Sequence, residues 1–285
     1  MKLHEKINIA VLPAALAVLL SGLIRLGFSL TRLDYYLPYS LQSAVIAMVS
    51  MSLPIWFYCR SSLFWGRPPL KAAAPITSST AIVFGCGVCL SLHFLLGTFS
   101  GDQYPDATFI VGGLSSWLMR VFSMAVLPAV LEEWLFRGCI LPYLERFDRR
   151  AAVLLSALLF ALIHHGWQSI LFAFAAGVVL GCIRLTCGSV WGCVIVHLVN
   201  NTAVLCVQAM SGMIPPEAVF IPYCVISFIC MAAAVAAAIP FYRELCRAFR
   251  KRQYTLSAFG KEMIRSFVFW AYVLNMLLLN ILNIL

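Results

Sequence analysis

The sequence predicts an all-α, multi-pass membrane protein, a bundle of about eight transmembrane helices with a ninth candidate at the C-terminus. Three observations support this fold class. Hydrophobic residues make up 62% of the 285 residues and charged residues only 11%, while the mean hydropathy is +0.94. The apolar residues are gathered in runs of roughly 17–25, the length at which a helix crosses a bilayer. Most basic residues lie in the short loops between these runs.

The predicted spans follow one another along almost the whole chain. Their ranges are 8–30, 39–58, 80–98, 119–144, 150–165, 168–184, 189–210 and 219–241. The ninth candidate, 266–285, has no charged residue but carries Asn275, Asn280 and Asn283, so it either crosses the membrane or lies at its interface. The first run follows a basic N-terminus and is too long for a signal peptide, which predicts an uncleaved first span.

The intramembrane polar residues are concentrated in the middle of the chain, which suggests three segments. Residues 1–118 are expected to form N-terminal transmembrane helices and residues 119–210 a functional core. Residues 211–285 are expected to form C-terminal transmembrane helices with a basic loop. The eleven cysteines lie mostly inside apolar runs, where cysteine behaves as a small buried hydrophobe, so we expect neither a disulfide framework nor a zinc framework.

The net charge of +9 reflects an excess of Lys and Arg in the loops, where these residues determine the membrane topology. Basic residues in the loops 59–79, 145–150 and 242–265 predict that these loops and the N-terminus face the cytoplasm, in what we expect to be a bacterial cell membrane. The same residues would contact anionic lipid headgroups, and no nucleic-acid partner follows. Arg25 and Arg32 fall on the outer side in this scheme, and snorkelling to the outer headgroups would reconcile them with it.

Three ionisable residues stand within six positions of the fourth span, namely Glu132, Glu133 and Arg137. A charge at the centre of a membrane helix costs about 2.5–3.5 kcal/mol, so such groups need compensation and usually have a function. At helical spacing Glu133 and Arg137 lie one turn apart and form an ion pair, whereas Glu132 points about 100° away without a local partner. From the residue types alone, a structural polar cluster and a catalytic site are equally compatible with this pattern.

Further polar residues fall inside the fifth and seventh spans. Counted from the turn near Asp148, Glu132 and His164 are equally distant, so antiparallel helices would place them at one level, with His197 within roughly 8 Å of it. One cavity would then hold all three. His197 and Asn201 are one helical turn apart on the same face, as a pair that hydrogen-bonds a carbonyl would be.

These residues form three short motifs in a fixed order: Glu132-Glu133-x-x-x-Arg137, Phe160-x-x-x-His164 and His197-x-x-x-Asn201. The combination resembles the CPBP family of intramembrane proteases, which includes CAAX prenyl endopeptidases and bacteriocin-processing or self-immunity proteins. The resemblance covers about 120–205. It implies that Glu132 is the catalytic base, that Glu133 and Arg137 support it, and that the two histidines and Asn201 complete the site.

On this basis we expect an endopeptidase that cleaves a membrane-associated peptide or protein. Glu132 and His164 would hold the attacking water, and His197 and Asn201 would donate to the oxyanion. No cofactor is the first expectation. The alternative within enzymes is a zinc protease with Glu132, His164 and His197 as ligands, although the HExxH spacing is absent. Outside enzymes, a proton-coupled transporter and a scaffold or immunity protein stay open.

Overall fold

The computed structural model describes residues 2–60, 75–100, 113–211, 216–249 and 256–282, and these ranges contain eleven helices and no strand. The all-α prediction is therefore confirmed. In chain order the helices are α1 (Leu3–Thr31), α2 (Leu33–Tyr36), α3 (Tyr39–Arg60), α4 (Pro75–Ser100), α5 (Gly113–Leu144), α6 (Arg149–Leu162), α7 (Trp167–Cys187), α8 (Trp191–Ser211), α9 (Pro216–Ala248), α10 (Leu256–Ile264) and α11 (Phe267–Leu282).

Six helices among the described residues are long and apolar enough to cross a membrane, namely α1, α3, α5, α7, α8 and α9. Their length and apolarity indicate an integral membrane protein. Two further apolar stretches, Ser79–His93 and Phe267–Leu278, are shorter. The expected count of about eight spans is therefore not confirmed.

The clearest departure lies at the predicted fifth span, 150–165. Helix α6 has only 14 residues, which extend about 21 Å against a hydrocarbon core of about 30 Å. The helix starts at the Asp148 N-cap, whose side chain accepts a hydrogen bond from the backbone N–H of Ala151 at 2.8 Å. It ends at Leu162, and the chain turns through Gly166, which has a φ of +80°. His164 consequently lies in this turn and not within a spanning helix.

Helix α5 occupies the centre of the bundle and contacts α1, α3, α6, α7 and α8. Two segments within it are π-helical, Phe122–Val126 and Trp134–Ile140. The second follows directly after Glu132 and Glu133. Because a π-helical turn adds a residue and re-aims the side chains around it, such turns are frequent at functional sites. Side chains from Leu135 to Ile140 are all buried, so α5 carries the core of this part of the protein.

Helix α4 packs chiefly against α9, and a glycine lets the two backbones approach closely. A Cβ added at Gly87 would stand 2.5 Å from the carbonyl oxygen of Cys230 and 2.8 Å from the Cβ of Ala234. Only a residue without a side chain fits at this point, which is typical of small residues at helix interfaces in membranes.

The C-terminal helices are tied back to α1 and α6 by side-chain hydrogen bonds. Ser266 donates to the Asn8 side chain at 2.6 Å, and the buried Tyr272 hydroxyl donates to the carbonyl of Leu159 at 2.6 Å. His4 and Glu262 also meet at 3.1 Å, and this hydrogen bond lowers the pKa of the Glu262 carboxyl. Because α1 and α6 flank α5, these bonds brace the central helix from one side.

Candidate active site

A buried ion-pair network forms at the end of the first motif. The Arg137 guanidinium donates to Glu133 Oε1 at 2.8 Å, and both side chains are fully buried. The same carboxylate oxygen accepts a hydrogen bond from His197 Nδ1 at 2.9 Å. Arg137 also donates to the carbonyl of Gly177 at 3.1 Å. Glu133 therefore joins α5 to α8, and Arg137 joins α5 to α7, as expected of supporting residues.

Glu132 differs from its neighbour in having no such partner. Its side chain is 13% exposed, and its Oε2 atom lies 3.9 Å from His197 Nε2, beyond hydrogen-bond distance. Among the described residues, no group hydrogen-bonds to this buried oxygen. A carboxylate buried without a donor is costly in a native structure, and such groups commonly face water or substrate. Glu133 Oε2 also lacks a partner among the described residues, but the other oxygen of Glu133 accepts hydrogen bonds from Arg137 and His197, and this distinguishes it from Glu132.

The ring of His197 has a defined tautomer because its Nδ1 meets a carboxylate, which only accepts hydrogen bonds. Nδ1 therefore carries the hydrogen, and Nε2 faces Glu132. In the neutral ring Nε2 is an acceptor, and it becomes a donor only when the ring is protonated. Glu133 fixes the orientation of the ring through Nδ1, much as an aspartate does in a catalytic triad.

His164 is oriented by its own backbone. Its Nδ1 donates to the carbonyl of Phe160 at 3.0 Å, which leaves Nε2 as the free ring nitrogen. Phe160 packs edge-on against His164 and His197, with ring centroids 4.9 and 5.8 Å apart, and the Arg137 guanidinium lies 4.4 Å from its centroid. Phe160 is thus the packing centre that holds the two imidazoles and the arginine.

The two histidines line one cavity of about 240 Å³ between α4, α6, α7 and α8. Asn200 and Asn201 line it too, together with His93 of α4 and a mostly apolar wall. Asn201 donates to the carbonyl of Met124 at 3.3 Å, and Asn200 donates to the Asn201 side chain at 3.4 Å. Each amide nitrogen retains a second hydrogen that a substrate carbonyl can accept.

Glu132 lines a different cavity of about 210 Å³, which is bounded by α1, α3 and α5 and reaches His165. The sequence predicted one cavity for Glu132, His164 and His197, whereas the structure places the two histidines on the first cavity and Glu132 on the second. Helix α6 ends at Leu162, so His164 lies in the turn that follows it, where its Nδ1 donates to the carbonyl of Phe160. His197 is the residue that bridges the two spaces, since it lines the first cavity and approaches Glu132.

The π-helical segment after Glu133 is held by side chains from neighbouring helices. Arg184 Nε donates to the carbonyl of Arg137 at 3.2 Å, and Ser156 Oγ donates to the carbonyl of Phe136 at 3.2 Å. Both donors are buried. Such bonds satisfy carbonyls whose regular helical partners the π-helical geometry displaces. They fix the register in which Glu132, Glu133 and Arg137 are presented.

The sequence left open a zinc ion bound by Glu132, His164 and His197. In His164 and His197, Nδ1 donates to a carbonyl or a carboxylate and Nε2 is left free. Histidines that bind a metal make the same kind of outer hydrogen bond. Within the described ranges, however, no three His, Cys, Asp or Glu side chains lie close enough to hold one ion. The arrangement found here does not fit a zinc ion bound by Glu132, His164 and His197.

The structure thus brings the predicted pair Glu133 and Arg137 together, places His197 against both glutamates, and places His164 and Asn201 on one cavity. Sequence reasoning missed Asn200, Arg184 and the central position of Phe160. Asn200 adjoins the motif residue Asn201, and Arg184 is a charge within an apolar run, so both carried a signal. His93 of α4 lines the same cavity as the two motif histidines.

Comparison with known proteins gives one match. The model for type II CAAX prenyl endopeptidases, Rce1-like, matches residues 114–203, about a third of the chain. No curated protein and no solved structure matches this chain. The matched range runs from α5 to α8 and contains all seven residues that the three motifs name. The resemblance to the CPBP intramembrane proteases is therefore confirmed over this range, and it supports a CAAX-type intramembrane endopeptidase in general terms.

Proposed function

Because residues 114–203 match the model of the Rce1-like CAAX prenyl endopeptidases, we propose that this protein hydrolyses a peptide bond near the C-terminus of a prenylated, membrane-associated protein. The observation that carries the proposal is Glu132, whose buried Oε2 has no hydrogen-bond partner among the described residues and faces His197 Nε2 across 3.9 Å. The proposed reaction requires a water molecule that hydrogen-bonds to both of these atoms.

In the proposed mechanism Glu132 is the general base. It takes a proton from the bridging water while the water oxygen attacks the scissile carbonyl carbon. The C–O bond that forms converts the carbonyl into a tetrahedral oxyanion. When this intermediate collapses, the C–N bond breaks and the proton held by Glu132 passes to the leaving amine. The products are a new carboxyl terminus and a peptide with a free amino group.

The developing oxyanion needs donors on the cavity side. Asn201 supplies an amide N–H, and we add the neighbouring Asn200, which lines the same cavity. His197 becomes a third donor when its ring is protonated beside Glu133. Removing one such donor typically lowers the rate about 10²–10³-fold. His164, with a free Nε2 in the same cavity as Asn200 and Asn201, would accept a hydrogen bond from a substrate N–H.

The surroundings of the site suit a substrate attached to the membrane. The cavity that holds the two histidines has a mostly apolar wall, which includes Phe172, Leu180 and Val204. A lipidated peptide could bury apolar groups there at about 0.8 kcal/mol per CH₂ group. A peptide precursor such as a bacteriocin or pheromone leader is the second substrate class, since it too would reach a site at membrane depth.

The experiment is a cleavage assay on the purified protein in proteoliposomes. Three peptides of matched sequence are compared: a farnesylated CAAX peptide, the same peptide without the lipid, and a leader-type peptide without a C-terminal CAAX motif. Mass spectrometry identifies the products. We expect cleavage of the farnesylated peptide to be fastest. Cleavage of the leader-type peptide alone would indicate precursor processing in place of CAAX cleavage. If none of the three peptides is cleaved, the proposal of endopeptidase activity is contradicted.

The remaining alternatives have distinct outcomes in the same assay. A metalloprotease would lose activity in a chelator such as 1,10-phenanthroline and regain it with added zinc. The proposed mechanism predicts that neither treatment changes the activity. A scaffold or immunity protein would keep its cellular phenotype in the Glu132→Gln variant. A scaffold protein could also use the buried network of Glu133, Arg137 and His197 to hold its helices together. An unpartnered Glu132 would destabilise such a scaffold without serving its function.

A further inference from the structure

The cavity of about 240 Å³ contains an acceptor that the proposed mechanism does not use, the side-chain oxygen Oδ1 of Asn200. We infer that this atom accepts a hydrogen bond from a backbone N–H of the substrate, on the residue whose carbonyl is cleaved. Asn200 would then hold that residue at two points and exclude a residue without an N–H, such as proline. This inference rests on the proposed function and adds the backbone group by which the substrate is recognised.

The orientation of the Asn200 amide follows from a chain of hydrogen bonds that begins at α5. The carbonyl of Met124, in the π-helical segment Phe122–Val126, only accepts, so Asn201 must present its nitrogen Nδ2 to it, at 3.3 Å. Asn201 Oδ1 is then the atom that faces Asn200. Because this oxygen also only accepts, Asn200 must present Nδ2 to it, at 3.4 Å. Oδ1 of Asn200 is therefore the atom turned away from Asn201.

This oxygen of Asn200 has no donor of its own. The residue is only 7% exposed, and no group in the described ranges hydrogen-bonds to its buried Oδ1. An unsatisfied buried acceptor is costly, and each such case in a native structure needs an explanation. A ligand in the cavity that brings an N–H donor supplies one.

The Asn200 side chain can turn its oxygen towards such a ligand. Asn200 lines the cavity together with His164, His197 and Asn201. The torsion about the Cβ–Cγ bond of an asparagine is broad, and the hydrogen bond from Asn200 to Asn201, at 3.4 Å, is long. A small rotation of the amide therefore brings Oδ1 towards the cavity while Nδ2 stays beside Asn201.

An extended peptide matches both atoms of this amide. In an extended chain the N–H and the C=O of one residue point to the same side, as in the paired residues of an antiparallel sheet. The Asn200 amide presents Oδ1 and, beside it, the Nδ2 hydrogen that Asn201 does not use. The proposed mechanism places the scissile carbonyl at this hydrogen. The N–H of the residue that owns the carbonyl then meets Oδ1.

The test removes single N–H groups from a farnesylated CAAX peptide. In each of four analogues an ester replaces the amide at one of the last four residues, which exchanges the N–H for an oxygen and adds no bulk. Stopped-flow fluorescence with the protein in nanodiscs gives association and dissociation rates before turnover. We expect wild type to bind the analogue altered at the cleaved residue about 10- to 100-fold more weakly than the parent peptide.

Three variants assign this loss of affinity to its acceptor. Asn200→Ala should bind the parent peptide and that analogue equally, whereas Asn200→Asp retains an acceptor and should retain the loss. Ser169→Ala is the control, because Ser169 lines the same cavity but has no part in the proposed mechanism, and it should behave as wild type. Thermal unfolding shows whether each variant is folded, and Asn200→Leu, which is close in size, replaces Asn200→Ala if the latter is not.

Two other partners for these groups give distinct results. If wild type binds all four analogues as tightly as the parent, a water molecule and not the substrate satisfies Oδ1, and the inference is overturned. A loss that persists in Asn200→Ala would overturn it too, and would assign the substrate N–H to His164 Nε2, the free ring nitrogen in this cavity. Mass spectrometry identifies the cleaved bond, and a sensitive N–H on any other residue would also contradict the inference.

Because binding is measured before turnover, the inference and the proposed function fail separately. A loss that depends on Asn200, in a protein that cleaves no peptide, would support the acceptor and contradict the endopeptidase. Cleavage of the parent peptide by a wild type that binds every analogue equally well would support the endopeptidase and overturn the acceptor.

Discussion

At the scale of single residues, the site depends on two adjacent glutamates with different surroundings. Glu133 is fully buried and accepts hydrogen bonds from both Arg137 and His197. Glu132 has no hydrogen-bond partner at Oε2 among the described residues. The difference follows from helical geometry, which turns neighbouring side chains about 100° apart. One glutamate therefore holds helices together while the other faces the space where a water or substrate would lie.

This contrast gives a prediction about stability. Glu133→Gln should lower the free energy of unfolding by about 3–5 kcal/mol, because it leaves the fully buried Arg137 without a counter-charge. The matched control is Glu132→Gln, which removes no hydrogen bond at Oε2 and should leave the stability unchanged or slightly higher. Thermal unfolding in detergent measures both. Equal melting temperatures for wild type and Glu133→Gln would refute a structural role for the ion pair.

A second residue-scale prediction concerns Asn200, which the motifs do not include. If it donates to the oxyanion, Asn200→Ala should lower kcat about 10²-fold with little change in KM, as loss of a donor used in the transition state does. Asn200→Asp keeps the size but puts an acceptor where the donor was, and it should be at least as impaired. Unchanged kcat in both variants would limit the oxyanion donors to Asn201 and His197.

The sequence singled out Glu132, Glu133, Arg137, His164, His197 and Asn201 as candidate site residues because charged and polar groups stand out within apolar runs. The sequence could not predict which glutamate bonds to both Arg137 and His197, nor that Phe160 packs against His164, His197 and Arg137. Those features depend on side-chain packing between helices, which the spacing of residues along one helix does not specify.

At the scale of elements, the π-helical segment Trp134–Ile140 and the short α6 decide where the site residues point. Neither was predicted. A hydropathy run does not reveal a π-helical turn, because the turn adds one residue without changing the composition. Helix α6 already ends at Leu162, and Gly166, with a φ of +80°, is the N-cap of α7. The prediction of element type was therefore correct, whereas that of length was not.

The close contact of α4 and α9 gives an element-scale prediction. Gly87→Ala should destabilise the protein by about 1–3 kcal/mol, because the new Cβ would overlap the carbonyl oxygen of Cys230 at 2.5 Å. Gly27→Ala in α1 is the control, since a Cβ there meets nothing within 4 Å. Thermal unfolding of the two variants in the same detergent should differ in this direction, and equal melting temperatures would contradict the packing described.

At the scale of the whole molecule, the other helices surround α5, and α6, α7 and α8 each place a polar side chain against it. The orientation in the membrane stays a prediction from the basic loops, with the N-terminus in the cytoplasm. A cysteine at Lys2, in a background without the eleven native cysteines, tests it. We expect labelling by a membrane-impermeant maleimide only in inverted vesicles. Labelling of intact cells would show that the N-terminus faces the outside and that the predicted orientation is wrong.

The central claim is that Glu132 acts as the base of a peptide hydrolysis. Its most direct test compares wild type with Glu132→Gln on a farnesylated CAAX peptide under single-turnover conditions, with peptide binding and thermal unfolding measured on the same preparations. The account predicts that the variant folds and binds the peptide as wild type does but cleaves it at least about 10²-fold more slowly. Cleavage at a rate close to that of wild type would contradict the claim.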